Sequence, residues 1–284
     1  MKGLKEIIKH ANNYLTGIAA APGLTIGKAY VFTKEVLEIN QNGITEIEEA
    51  VSLFYEALEK SQKELRKVFS FAKEKMGEIR ASIFEAHLMI LDDPVLIESI
   101  VKRIKHEKKF PEFIVDDEIS KYQKLMFGAS EHYMKERALD IEDIKNRIIR
   151  NLQKKRWQSK IPHNAVVVSE NLTPADTLLF TKSHTLGYIT DHGGLTSHAA
   201  IIARSLNLPA VVGTHNATEK IKNDDLIIVD GFHGFIFINP DEHQVTFFTE
   251  KIDHLLKINR ELQGLKDKSA VTLDGRTIHL FANV

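Results

Sequence analysis

From Ile47 onward the apolar positions fall at helical intervals. Ile47, Val51, Phe54, Leu58, Leu65, Phe69, Ala72 and Met76 are spaced by threes, fours and a seven, which places them on one face of a long helix. Ile79, Ile83, His87 and Ile90 repeat the pattern over a shorter segment. Asp92-Asp93-Pro94 reads as a helix start, an aspartate cap with proline at the first helical position, and Leu96, Ile100 and Ile104 carry the next stripe. A fourth, long segment follows Pro111 and ends with Ile141, Ile144, Ile148 and Leu152 on one side and Glu, Lys and Arg on the other. Four amphipathic segments joined by short breaks predict a four-helix bundle.

Beyond Ile161 the rhythm changes. Ala165–Val168, Leu186–Thr190, Ala210–Val212, Leu226–Val229 and Phe235–Ile238 are short β-branched or aromatic runs bounded by Gly, Pro, Asn or Asp, which predicts strands. One helix, Ser197 to Leu206, lies between the second and third runs. Glycine and proline usage agrees. Residues 45–160 hold two of each, whereas the shorter stretch 161–240 holds six glycines and four prolines. Thr16–Phe32, with its Ala-Pro-Gly-Leu turn at Ala21–Leu24, has the character of the second region. The chain is therefore expected to begin in an α/β domain (12–33), leave it for an inserted bundle (34–156) and return (157–240). Phe247, Ile252, Leu255 and Leu262 mark a linker helix within 241–269 that stops near Gly264. Residues 270–284 alternate like a strand with nothing left to pair with, which is expected for the first strand of a further, absent domain.

Composition narrows the function classes. The 284 residues carry 38 Lys and Arg against 39 Asp and Glu, a net charge of −1, so nothing global points to nucleic acid or an anionic membrane. Cysteine is absent, which excludes disulfide scaffolds, thiolate metal sites and cysteine nucleophiles. No apolar run approaches the roughly 18 residues of a membrane span, and the charged start MKGLKEIIKH is unlike a signal peptide. A soluble, cytoplasmic protein is expected.

Chemistry concentrates in Asp191-His192-Gly193-Gly194-Leu195-Thr196-Ser197-His198, where a strand runs through a double glycine into a helix. The glycines let backbone N–H groups approach another group closely, and Thr196 or Ser197 can cap the helix. His198 falls in the first turn, beside free N–H groups and the positive end of the helix dipole, which is an anion site. That setting favours neutral, nucleophilic imidazole, and it favours the same ring once it carries a phosphoryl group. Phosphoryl transfer needs positioning and charge stabilisation, and both are available here. By spacing alone a structural or capping role carries the greater weight, since Gly-Gly before a helix is common and the chain has 13 histidines.

The 21 residues GGLTSHAAIIARSLNLPAVVG resemble the phosphohistidine signature of the phosphoenolpyruvate (PEP)-utilising enzymes, a family that includes Enzyme I of the bacterial sugar phosphotransferase system, PEP synthase and pyruvate phosphate dikinase. Gly17–Gly23, ASIFEAHLMILD at Ala81–Asp92, Lys135-Glu136-Arg137-Ala138 with Asp143-Ile144, Leu172–Thr177 and Thr272–Gly275 resemble Enzyme I segments. The resemblance implies a swivelling α/β phosphohistidine domain with an inserted helical bundle. It implies that His198 accepts the phosphoryl group on Nε2, that Thr177 bonds and orients the imidazole, and that Gly193, Gly194, Thr196 and Ser197 hold phosphate. The bundle would dock HPr, the small histidine phosphocarrier protein, through a surface that includes Glu85, His87, Asp92, Asp93 and Arg137.

Other readings of these residues stay open. Thr177 also suits a helix cap after Pro174, and His87 suits a core histidine on an apolar face. Glu78 and Arg80 read as ordinary solvated charges, while His192, beside the glycine pair, could touch phosphate. Leu195 stands where Enzyme I proteins usually carry an arginine able to clamp phosphate with a bidentate fork. The family's PEP- and Mg²⁺-binding barrel has no counterpart here, so this chain is expected to hold no metal or cofactor and to be monomeric. The full-length enzyme is expected to use Mg²⁺ and to dimerise. The alternatives are the mobile domain of a PEP synthase or dikinase, and a docking module that binds a phosphocarrier without turnover.

Overall fold

The short β-branched runs pair into one eight-stranded sheet. The computed structural model describes residues 4, 7–9, 13–34, 36–127, 132–155, 161–180, 183–264, 269–272 and 274–279; the backbones of Arg80, Arg137 and His198 are included but their side chains fall outside the description. The strands are β1 (Tyr14–Thr16), β2 (Ile18–Ala21), β3 (Leu24–Phe32), β4 (Ala165–Ser169), β5 (Gly187–Thr190), β6 (Ala210–Val212), β7 (Leu226–Asp230) and β8 (Phe235–Ile238). Their order is β1-β8-β7-β3-β4-β5-β6-β2. β3, β4, β5 and β6 run parallel, and the flanking pairs are antiparallel.

The two edge strands, β1 and β2, are consecutive in the chain and meet at Gly17, whose N–H donates to the Gly234 carbonyl at 2.9 Å. A Cβ at Gly17 would lie 2.7 Å from the Val212 carbonyl oxygen, so only glycine lets the chain step between the edges here. The runs AVVVS and LIIVD lack polar alternation because both faces of the sheet are covered. Val166 and Val168 of β4 and Ile227 and Val229 of β7 point into one core; Val167 and Ile228 point to the opposite side.

Between β3 and its parallel neighbour β4 the chain builds the helical insertion: α1 (Ile47–Met76), α2 (Glu78–Leu91), α3 (Pro94–Glu107), α4 (Pro111–Phe127) and α5 (His132–Leu152). The expected α1 stripe is buried at Val51, Phe54, Leu58, Leu65, Ala72 and Met76. Asp93 caps α3, accepting from the Val95 N–H at 2.8 Å, with Pro94 at its first position. The segment expected as one long helix after Pro111 is two, on either side of residues 128–131.

The remaining helices are α6 (Pro174–Phe180), α7 (His198–Ser205), α8 (Ala217–Lys220) and α9 (Glu242–Gln263). α7 packs on β2 and β6, and against α6. Ala175 of α6 and Ile202 of α7 belong to the same apolar cluster as the bundle core, so the bundle rests on the two helices that flank the glycine loop. α9 starts with a capping box, Asp241 with Gln244, and buries Phe248 among Leu4, Ile7, Ile228 and Phe237. Its later apolar positions, Leu256 and Leu262, are exposed. Of the stretch 270–284 expected as an extended strand, the described residues include a Val271–Thr277 bridge that brings the chain back on itself at Asp274-Gly275; residues 273 and 280–284 lie outside the described residues.

Candidate active site

β5 delivers the chain to the loop that the sequence singles out. Asp191 follows the strand and is buried. Its carboxylate accepts from the Thr214 hydroxyl at 2.9 Å, the Ala217 N–H at 2.5 Å, the Thr218 N–H at 3.3 Å and the Thr218 hydroxyl. A buried carboxylate is tolerable only with such partners, and these tie the end of β5 to the start of α8. His192 projects outward, with Nε2 3.5 Å from the Glu170 carboxylate, while its carbonyl accepts from the Thr190 hydroxyl at 2.7 Å.

Gly193 has φ +115°, a conformation side-chain-bearing residues avoid, and Gly194 opens onto empty space. Leu195 is 53% exposed. Ser197 N–H donates to the Gly194 carbonyl at 3.1 Å, closing the turn, and the Ser197 hydroxyl caps α7 by accepting from Ala200 N–H at 3.3 Å. Of the two capping candidates, Ser197 is thus the cap. His198 is the first residue of α7, so its N–H and that of Ala199 have no acceptor within the helix. The imidazole itself lies outside the described side chains.

Thr177 lies on α6, the helix packed against α7. The cap of α6 is Thr173, not Thr177: Thr173 and Asp176 exchange hydrogen bonds, the Thr173 hydroxyl accepting from Asp176 N–H and the Asp176 carboxylate from Thr173 N–H, both at 3.1 Å. Thr177 is buried, and its hydroxyl donates to the Thr173 carbonyl at 3.0 Å, which leaves its oxygen lone pairs to accept from a ring N–H. Its carbonyl accepts from the Tyr188 hydroxyl at 2.8 Å. Burial pushes the Tyr188 phenol well above its ordinary range, so it remains a donor. Burial likewise raises the Asp176 carboxyl, opposed by Lys34 at 3.8 Å.

The expected docking residues separate by position. Glu85, Asp92 and Asp93 are exposed. Asp92 accepts from Gln62 at 2.7 Å, and Asp93 is engaged as the α3 cap. His87 is 1% exposed and stands edge-on to Phe84, with ring centroids 6.1 Å apart. It cannot meet a partner at the surface, and its docking role is withdrawn: its place on the apolar face of α2 puts it in the core. The side chain of Arg137 lies outside the described residues, as does that of Arg80; Glu78 is exposed and paired with Lys73 at 2.5 Å. On α2 and α3, Ile79, Met89 and Val95 are 80, 71 and 68% exposed. Among the described residues no three His, Asp or Glu side chains are grouped to hold a metal ion. None of the described helices is long and apolar enough to cross a membrane.

The contacts of Asp191 and Tyr188, and the pairing of Arg204 with the Leu195 and Ala20 carbonyls, carry no local signal in the sequence. Asp191 and Arg204 stand inside the conspicuous motif, but their partners at Thr214–Thr218 and Ala20 are distant in sequence.

Residues 16–137 match the family described as PEP-utilising enzyme, N-terminal, and residues 161–234 match the PEP-utilising enzyme mobile domain. A phosphoenolpyruvate-protein phosphotransferase of Staphylococcus aureus is 37% identical over 273 residues, and one of Staphylococcus carnosus is 36% identical over 272; in each case 95% of this chain and 48% of the relative are covered. The chain therefore spans about half the length of the curated relatives it matches. A solution structure of Enzyme I superposes with a TM-score of 0.71 at 43% identity, covering 85% of this chain and 99% of that one. The N-terminal domain of Enzyme 1 – Nitrogen shares the fold at 21% identity, with a TM-score of 0.57.

Proposed function

The chain belongs to the PEP-utilising enzyme family, and on that premise we propose that it relays phosphoryl groups through His198, from phosphoenolpyruvate bound elsewhere in a full-length enzyme to the histidine of HPr. The observation that carries this reading is the placement of His198 at the first position of α7, directly after the Ser197 cap and five residues beyond the positive-φ Gly193. The first-turn amides and the helix dipole favour a phosphorylated ring over a protonated one, each such interaction contributing about 0.3–1 kcal/mol at an exposed site.

In exchange with phosphorylated HPr, the P–N bond of the carrier breaks as a P–N bond to Nε2 of His198 forms. Each ring keeps the proton on its other nitrogen, so no outside acid or base is consumed. Thr177, with its hydroxyl hydrogen committed to the Thr173 carbonyl, can accept from the ring N–H that does not bear phosphorus and so fix the tautomer. Gly193, Gly194, Thr196 and Ser197 supply amides and hydroxyls for the phosphoryl oxygens.

HPr docks on the exposed surface of α2 and α3, which carries the apolar Ile79, Met89 and Val95 and the acidic Glu85, Asp92 and Asp93. A shallow apolar patch with an acidic rim suits a basic partner that must release quickly. This inserted bundle favours the Enzyme I reading over a dikinase. PEP and Mg²⁺ belong to the full-length enzyme, and no step here runs through metal. A cytoplasmic monomer is part of the same reading.

The test mixes the chain with phosphorylated HPr. An acid-labile mass gain of about 80 Da is expected on wild type and none on His198→Ala. Equal labelling of both proteins rejects the proposal, and binding without transfer supports a docking module instead.

A further inference from the structure

We propose that Arg204 is a positioning residue for phosphoryl transfer, a brace that holds the glycine loop and the start of α7 against β2; this rests on the phosphohistidine reading above. Arg204 lies in the last turn of α7, six residues beyond His198, or roughly 9 Å along the axis. Long helical side chains lean toward the helix N-terminus. The guanidinium of Arg204 reaches back in that direction: one terminal nitrogen donates to the Leu195 carbonyl at 2.7 Å and the other to the Ala20 carbonyl at 3.2 Å.

Those two carbonyls belong to segments that share no backbone pairing. Leu195 is part of the glycine loop; Ala20 is part of β2, which pairs with β6. A planar guanidinium presents two donors in fixed geometry and can join them, whereas an ammonium is a single point. The opposite side of the loop is held separately. Asp191 binds the Thr214–Thr218 turn, and a Cβ on Gly213 would lie 3.2 Å from the Gly193 carbonyl. Between these two anchorages Gly193 and Gly194 have no side chains with which to hold themselves. The loop is thus fixed from outside, by a buried carboxylate on one flank and by Arg204 on the other.

Transfer is sensitive to such fixing, since a misplacement of about 1 Å can cost on the order of 10²-fold in rate. The docking face lies on α2 and α3, in a different part of the molecule. Loss of the brace should therefore slow transfer without weakening partner binding. A residue that only supported the fold would move both.

The experiment uses the full chain with phosphorylated HPr, comparing wild type, Arg204→Ala and Arg204→Lys. Expected is a single-turnover transfer rate at least tenfold lower in Arg204→Ala and at least threefold lower in Arg204→Lys, with HPr affinity within twofold of wild type in both. A rate within twofold of wild type in Arg204→Ala overturns the proposal. So does full recovery in Arg204→Lys, which would leave charge alone as the cause, or a parallel fall of rate and affinity. If Arg204→Ala does not fold, amide hydrogen exchange in Arg204→Lys decides: faster exchange at residues 193–196 is expected, and wild-type protection there overturns the brace. A wild-type chain that takes no phosphorus on His198 defeats the phosphohistidine reading, while the exchange measurement still tests the brace.

Discussion

The helical insertion and the sheet domain bury their apolar residues in different ways, and the difference sets what each offers to other molecules. Each bundle helix buries one stripe and leaves the rest to solvent, so charged side chains form networks along its flanks. Arg103 pairs with Glu107, Asp117 and Glu118, and Glu64 is shared by Arg147 and Arg150. The central strands of the sheet are covered on both faces, and the buried acids Asp176, Asp191 and Asp230 of that domain are held by backbone N–H groups: Asp176 by Thr173, Asp191 by Ala217 and Thr218, and Asp230 by Phe232 and His233. The bundle is therefore built to present a surface, and the sheet to hold loops still. Recognition and chemistry divide along that line.

The comparison breaks most sharply under mutation of a fully buried residue. Phe54→Ala is expected to destabilise the protein by about 3–5 kcal/mol in urea unfolding, because the Phe54 ring is enclosed at the centre of the bundle. A loss below 1 kcal/mol would mean that α1 is not the bundle's core. Next comes Asp191→Ala, which strands the Thr218 hydroxyl and the Ala217 amide and leaves the Thr214 hydroxyl only the Thr190 carbonyl at 3.2 Å, for roughly 2–3 kcal/mol. Fluorine or amide NMR should find that disturbance in the sheet domain, and shifts centred in the bundle would contradict the division. Ser197→Ala removes the cap of α7 at a cost of about 1 kcal/mol, read by the same unfolding assay; no change would show that the cap is idle.

Acid sharpens the contrast because Glu107 and Asp117 of the bundle and Asp176 of the sheet domain respond with opposite sign. The Arg103 hydrogen bond holds the Glu107 carboxyl below its ordinary 4.5, and those of Lys121 and then Arg103 hold Asp117 below 3.8. Their folded values lie below the unfolded ones, so their stabilisation is present above the unfolded values and is lost as pH falls through the folded ones. Burial raises Asp176 above 3.8, helped by Asp143 and opposed by Lys34. Its contribution is fully present below the unfolded value and is lost as pH rises through the folded one. Asp176→Asn should accordingly gain stability at neutral pH and lose that advantage in acid, whereas Glu107→Gln should cost most at neutral pH. Matching pH profiles for the two variants would remove the distinction.

Much of the bundle was legible because one-sided burial writes itself into the sequence at helical intervals. The α1 stripe and the Asp93-Pro94 start both stand where the pattern puts them. Strand positions were legible for another reason, the bounding Gly, Pro and Asn residues, and Ala210–Val212 and Phe235–Ile238 agree to the residue. The sheet order was not legible, since pairing β1 with β8 and β2 with β6 is a long-range choice that short apolar runs do not encode. At the site, local chemistry was readable: the glycine pair, the serine cap and the histidine after it. What holds the loop was not, because the partners of Asp191 and Arg204 come from other parts of the chain. His87 shows the opposite case, where its apolar helical spacing was the sounder guide and the structure encloses it.

Everything proposed for this chain depends on one imidazole, that of His198, accepting phosphorus on a defined atom. Its most direct measurement is long-range ¹H–¹⁵N NMR of the ring nitrogens of the isotopically labelled chain after exposure to phosphorylated HPr. Expected is a new phosphorus-bonded signal from Nε2 of His198, with every other histidine unchanged. Phosphorus on Nδ1, on a different histidine, or on none would contradict it.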